Sequence, residues 1–189
     1  SRTAAVRTEL GLRDGVPVIG VIARRKSQDD LLRAVQSHQG PLEILFSGIE
    51  EDAELAALRA TLPEGVRVQC LGFRPDVAEI SALLDVFVLP SGIEGFSLAI
   101  LEAMARGLPC IATDAGGNRE ALDNGAGIIV PPGDPEALAK ALARLLRDPD
   151  AARRMGAAAR RRALDEFDVA RTVERTEALY ERVLAERSR

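Results

Sequence analysis

From Asp85 to Gly117 the chain reads DVFVLPSGIEGFSLAILEAMARGLPCIATDAGG. Residues 85–89 are apolar on both faces after Asp85, the pattern of a strand covered from both sides. The run stops at Pro90, a loop with Gly92 and Gly95 follows, and Ser97 offers a good N-cap to a helix over 98–106. Residues 110–113 then resume an apolar, β-branched run that ends before Gly116 and Gly117. Strand, glycine loop and helix start form a phosphate-binding design. Glycine lets the backbone approach a ligand closely, and the amides of Gly95, Phe96, Ser97 and Leu98 lie at the positive end of the helix dipole.

The same alternation runs outward in both directions. Strands are expected at 16–23, 42–47, 66–71, 85–89, 110–113 and 127–130, with helices at 29–37, 52–61, 77–84, 98–106 and 119–122 between them. That order specifies a Rossmann-like α/β fold, a doubly wound parallel sheet of about six strands with a C-terminal helical tail. From Pro135 onward the pattern is helical over 136–147, 150–165 and 169–187. One domain over 1–189, its tail helices at about 150–187, accounts for the whole length. In such sheets ligands bind beyond the carboxyl ends of the strands, so the functional residues are expected in the loops that leave them.

Composition sets the class. Of 189 residues, 47% are hydrophobic and 29% charged, enough apolar material to close a core. Twenty-nine acidic against 25 basic residues leave a net charge of −4 with no basic, aromatic-interleaved segment, so nucleic acid is not an expected partner. Cys70 and Cys110 stand in apolar runs without metal-ligand spacing and read as reduced core thiols. His38 is the one histidine, which leaves no pair for a metal site, and it reads as a surface residue. The chain begins Ser1-Arg2-Thr3 without a signal-peptide pattern, and its apolar runs fall short of the about 20 residues a membrane span needs. It is expected to be soluble, cytoplasmic and cut from something longer. Arg153, Arg154, Arg160, Arg161 and Arg162 read as a solvated helix face. On the last helix Val169, Val173, Leu179, Tyr180, Val183 and Leu184 form an apolar stripe expected to cover this sheet or a neighbouring domain, and to promote a homodimer of the chain.

Charged residues sharpen the site. Glu94 precedes the 98–106 helix and Glu102 lies within it, among residues otherwise apolar. At about 1.5 Å per residue, Glu102 stands roughly 6 to 8 Å beyond the phosphate-binding amides. A ribose diol fits that gap, because an ionised carboxylate accepts two hydroxyl hydrogen bonds. Spacing alone equally allows Glu102 as a surface residue and Glu94 as a partner of the helix dipole. After the first strand, Arg24, Arg25 and Lys26 precede Ser27 and Asp30, which read as a capping pair, so cations and a helix start make a second anion cradle. Lys26 and Lys140 are the only lysines. Competing motifs fail. Gly95-Phe96-Ser97-Leu98-Ala99 approximates a nucleophile elbow, but no histidine follows Ser97. Neither a G-x-G-x-x-G nor a Walker A sequence is present.

In combination these motifs resemble the group 1 retaining glycosyltransferases. The E-x7-E spacing is met by Glu94 and Glu102, Pro90-Ser91 ends the strand, and Leu71-Gly72-Phe73 precedes a helix. Gly116-Gly117 is followed by Glu120, and Pro131-Pro132-Gly133-Asp134 opens the helical tail. The likeness extends from about Gly15 to Tyr180 and is to the C-terminal, donor-binding domain of the GT-B fold. The resemblance implies a nucleotide diphosphate sugar donor and transfer with retention. Glu94 would touch the transferred sugar, Ser91, Gly95, Phe96, Ser97 and Leu98 would meet sugar and diphosphate, and Glu102 would bind the ribose. Arg24 and Lys26 would neutralise the leaving diphosphate, which then requires no metal and no other cofactor. Phe73 and Arg74 would pack on the nucleobase. The family separates its arginine from a Lys-Gly pair, whereas here Arg24, Arg25 and Lys26 are consecutive and Ser27 replaces the glycine, so Arg25 is an alternative diphosphate contact.

The resemblance also implies an N-terminal, acceptor-binding domain that is absent from this sequence. Peripheral association at the inner face of a membrane is expected through that domain, and the isolated chain is expected to bind donor but transfer little. Two other readings fit the same residues, a non-catalytic nucleotide-sugar-binding module and a GT-B-type sugar-nucleotide epimerase.

Overall fold

The computed structural model describes residues 1–187. Its centre is a six-stranded sheet formed by β1 (Val18–Ile22), β2 (Leu42–Ser47), β3 (Val66–Cys70), β4 (Val86–Leu89), β5 (Cys110–Thr113) and β6 (Gly127–Val130). The strands lie in the order β3-β2-β1-β4-β5-β6, and every neighbouring pair is parallel. Chain order reverses between β1 and β4, so the carboxyl ends of these two strands flank the crevice where a doubly wound sheet takes its ligand.

Alternation along each strand divides the core in two. Leu45, Phe87 and Leu89 face one side, where they meet Val6, Ile80, Leu84, Ile100, Met104 and Ala159. Ile44, Phe46, Val86 and Val88 face the other, against Leu31, Leu32, Leu55, Leu138 and Leu142. Successive side chains of a strand point to opposite faces, so apolar residues at consecutive positions require helices on both sides. The first layer contains α1 (Arg2–Glu9), α4 (Val77–Ser81), α5 (Leu98–Ala105) and α8 (Pro149–Glu166). The second contains α2 (Gln28–Ala34), α3 (Ala53–Arg59) and α7 (Pro135–Arg147). Each fully buried leucine or phenylalanine contributes about 1.5–3 kcal/mol relative to its exposed state. A short α6 (Asn118–Ala121) joins β5 to β6, and α9 (Val169–Arg187) ends the described chain.

Several expectations are corrected. Helix α1 has no counterpart in the apolar pattern because only Val6 of its eight residues is buried; Ser1 caps it and Arg74 ties it to the sheet rim. Strand β1 is shorter than 16–23 because Pro17 has no N–H to give the ladder. Asp85 lies outside β4, and its carboxylate accepts the Val18 amide at 2.8 Å. Ser27 occupies the N-cap position of α2 but does not form the expected capping pair with Asp30 through its side chain. It adopts φ 58° and ψ 43°, its hydroxyl makes no capping bond, and Gln28 begins the helix.

The arginine cluster of α8 is only in part a solvated face. Arg160 donates to the Ala105 carbonyl, and Arg162 donates to the carbonyls of Ala121 and Glu120, so each closes the carboxyl end of a shorter helix. No residue of α9 is buried, so its apolar stripe does not cover this sheet. His38 is half-buried, and burial lowers its pKa. Both cysteines are free thiols. Cys110 is buried, whereas Cys70 is half-buried, its thiol pushed up to about 11 mainly by desolvation and then by Glu51. Among the described residues no helix is long and apolar enough to cross a membrane.

Candidate donor-binding site

The loops after β1 and β4 meet across the crevice between those strands. Lys26 Nζ lies 3.0 Å from Glu94 Oε1 and donates to the Ile93 carbonyl at 3.2 Å. Buried Ser91 donates to the same Glu94 oxygen at 2.6 Å. Lysine side chain and carboxylate are 22% and 11% exposed, so they are screened far less than a surface pair. Two groups of opposite charge are thereby fixed at one point on the sheet rim.

The β4–α5 loop is braced from the next strand. Thr113, the last residue of β5, donates its hydroxyl to the Ser91 carbonyl, and Asn118 donates to the Thr113 carbonyl at 3.1 Å. Gly117 N–H donates to the Gly95 carbonyl at 2.6 Å. Gly116 has φ +52°, and a Cβ there would stand 2.2 Å from the Glu94 carbonyl oxygen, so only glycine lets the two loops approach so closely. Ser97 then caps α5 by accepting the Ile100 amide, and the first-turn amides of Leu98 and Ala99 point out of the helix end.

Glu102 follows one turn later. Ile100, Ala103 and Met104 form the buried side of α5, while Leu98 and Glu102 share its exposed side. The carboxylate therefore bears no burial cost within an otherwise apolar helix. Phe96 aims its ring toward Phe167 beyond α8, at 5.3 Å between centroids and tilted 54°. Its backbone, with that of Gly95, remains at the rim.

The two arginines after β1 separate clearly. Arg25 is held by Asp29, Asp52 and Glu54 at 3.4, 3.4 and 3.0 Å. Arg24 is exposed, and among the described residues its side chain makes no ion pair. The loop carries a further feature that the motif reading did not single out. Gln28 is 0% exposed, its Oε1 accepts the Lys26 amide at 2.6 Å and its Nε2 donates to the Arg24 carbonyl at 3.1 Å. The sequence signal was a polar residue three and four positions before Leu31 and Leu32, on the buried side of an amphipathic helix.

Phe73 and Arg74 follow β3, which lies two strands from β1, about 10 Å away at normal strand spacing. The rim is closed there by Gly48 N–H to the Gly72 carbonyl at 2.7 Å and Gly72 N–H to the Ile49 carbonyl at 2.9 Å. Phe73 is 90% exposed. Arg74 is instead committed to Glu9 and Asp76, both at 2.6 Å, which lower both carboxyl pKa values and raise its own. The structure does not bring Arg74 together with Lys26 and Glu94.

Comparison with known proteins places the sequence and the fold among glycosyltransferases. The chain is 39% identical over 119 residues to N-acetyl-alpha-D-glucosaminyl L-malate synthase of Bacillus anthracis, covering 62% of this chain and 31% of that protein. It is 35% identical over 170 residues to D-inositol 3-phosphate glycosyltransferase of Nocardia farcinica, covering 81% of this chain and 38% of that one. The chain thus spans less than half the length of these curated relatives. Among solved structures, Anabaena Alr3699/HepE in complex with UDP-glucose superposes with a TM-score of 0.81 at 26% identity, over 95% of this chain and 52% of that one. The family model for glycosyl transferases group 1 matches residues 11–162, and with the sheet order and the rim residues already described this places the chain in the group 1 glycosyltransferase family.

Proposed function

We propose that this chain is the donor-binding domain of a retaining glycosyltransferase and holds a nucleotide diphosphate sugar at the β1/β4 crevice. The observation that carries the reading is the meeting of Lys26, Glu94 and the Ser97-capped start of α5 at the point where strand order reverses. The UDP-glucose complex of the Anabaena relative supports the ligand class.

In this reading the diphosphate lies against Lys26, Arg24 and the first-turn amides of α5. Transfer breaks the bond between the anomeric carbon and the diphosphate oxygen, so negative charge grows on the leaving group and positive charge on the sugar ring. Preorganised cations and amides stabilise the first fragment without reorganising during the step. A metal ion is assigned no part. Glu94 orients the sugar by accepting its hydroxyls, Glu102 accepts from the ribose diol, and Phe73 packs on the base. Glu94 and Glu102 serve different parts of the donor, unlike the paired carboxylates of retaining glycosidases, which stand about 5–5.5 Å apart. The acceptor belongs to a second domain that closes over this rim.

Calorimetric titration with UDP, GDP, ADP and their sugar conjugates tests the assignment. Saturable binding of one base series, lost in Lys26→Ala, is the expected result. Equal binding by Lys26→Ala and the parent chain overturns it.

A further inference from the structure

Gln28 is a completely buried polar side chain that gives both ends of its amide to the loop carrying the cations. The Lys26 N–H and the Arg24 carbonyl flank Arg25, and the side-chain amide bridges them as a peptide group of a neighbouring strand would. Burial alone does not call for glutamine here, because a methionine of similar shape fills the same space. Nor do these two bonds join the loop to another element of the fold, since both partners lie within four residues of Gln28. What the amide does supply is one conformation. Ser27, between the cation and the brace, holds φ 58°, a left-handed geometry that a non-glycine residue adopts only when its surroundings impose it.

We propose that Gln28 is a positioning residue for the donor diphosphate. It sets the 24–26 loop so that Lys26 reaches across the crevice to Ile93 and Glu94 while Arg25 turns to the acids of α2 and α3. A loop that is already ordered loses little entropy when an anion binds, so the brace acts on phosphate affinity without touching ligand. This inference rests on the donor reading above and adds to it the residue that orders its cations.

The test uses Gln28→Met, which removes both hydrogen bonds, and Gln28→Glu, which keeps the acceptor but sets an oxygen against the Arg24 carbonyl. Both variants and the parent chain are titrated with UDP, GDP, ADP and the matching monophosphates, and amide hydrogen exchange is followed in the ligand-free proteins. In Gln28→Met the affinity for the preferred diphosphate is expected to fall about tenfold and that for its monophosphate less than about twofold. The Lys26 amide is expected to exchange faster while β1 amides keep their protection. Gln28→Glu should lose diphosphate affinity in the same way if it folds as the parent does. Diphosphate and monophosphate affinities that fall together, or a Lys26 amide that stays protected, overturn the proposal. Failure of the parent chain to bind any of the nucleotides overturns the donor reading itself, whereas parent-like binding by Gln28→Met overturns only the role of Gln28.

Discussion

Lys26 and Glu94 come from loops on different strands, yet their charged ends meet at 3.0 Å with Ser91 holding the carboxylate from the other side. The contact makes the carboxylate a competitor of any anion that approaches the Lys26 ammonium. On the proposed donor reading, a diphosphate that engages Lys26 draws it from Glu94 and leaves the carboxylate to the sugar hydroxyls. Glu94→Gln keeps the shape and the Ser91 contact but removes the competing charge. Its affinity for the nucleoside diphosphate alone is expected to equal or exceed that of the parent chain. The extra affinity gained from the sugar should fall by roughly tenfold, as for the loss of a hydrogen bond to a charged group. Titration of diphosphate and diphosphate sugar side by side decides it; a variant that loses both equally would show that Glu94 supports the loop and not the sugar.

Glu102 is exposed on α5, so its replacement should leave the fold intact and expose its chemistry cleanly. Glu102→Ala is expected to weaken nucleotide binding about tenfold to a hundredfold, the loss of one or two hydrogen bonds to a carboxylate. Its thermal midpoint should match that of the parent chain. The ribose assignment makes a stricter demand through a double cycle. Removing the ribose hydroxyls from the ligand should weaken binding to the parent chain and leave binding to Glu102→Ala nearly unchanged. Additive losses would place the carboxylate elsewhere on the donor.

Ser27 stores a correctable cost. Its φ of 58° lies in the left-handed region, where an L-residue is disfavoured by about 1–2 kcal/mol and glycine is not. Glycine also adds unfolded-state entropy, so the expected net gain for Ser27→Gly is about 0.5–1 kcal/mol. Denaturant titration should show a higher midpoint with an unchanged slope. A lower midpoint would mean that the Ser27 side chain contributes something the backbone geometry does not reveal.

This position shows what the sequence can and cannot convey. The departure from a Lys-Gly pair was legible, but the backbone reason for a glycine was not, because conformation at a single loop residue leaves no periodic trace. Strand and helix order were legible from mostly apolar runs such as 42–47 and 110–113, since two-sided burial favours apolar residues on both faces, although Glu43, Ser47 and Thr113 are buried in them as well. Glu94, Glu102 and the cations stood out as candidates because their spacing is local. Thr113 was not singled out because its partner Ser91 lies on another loop, and Gln28 and Asn118 were not because the direction of the nearby main-chain groups they bond is set only by the folded loop. The base contact of Arg74 was implied by the family resemblance alone, and its ion pairs were not legible, because Glu9 belongs to a helix with almost no apolar signature.

His38 gives the stability a defined acid response. Desolvation of the half-buried imidazole lowers its pKa below the ordinary value of 6.5, so the folded chain resists a proton that the unfolded chain accepts. The unfolded state then binds more protons in the interval just below 6.5, and stability rises with pH across that interval. Read in the acid direction, the contribution of His38 is complete above 6.5 and is lost as pH falls toward the folded-state pKa. His38→Gln removes the titration while keeping a polar side chain of similar size. Chemical denaturation between pH 7 and pH 5 should therefore show a steeper loss for the parent chain than for the variant, the two curves diverging only below about 6.5. Parallel curves would show that the imidazole is as well hydrated in the folded protein as in the unfolded one.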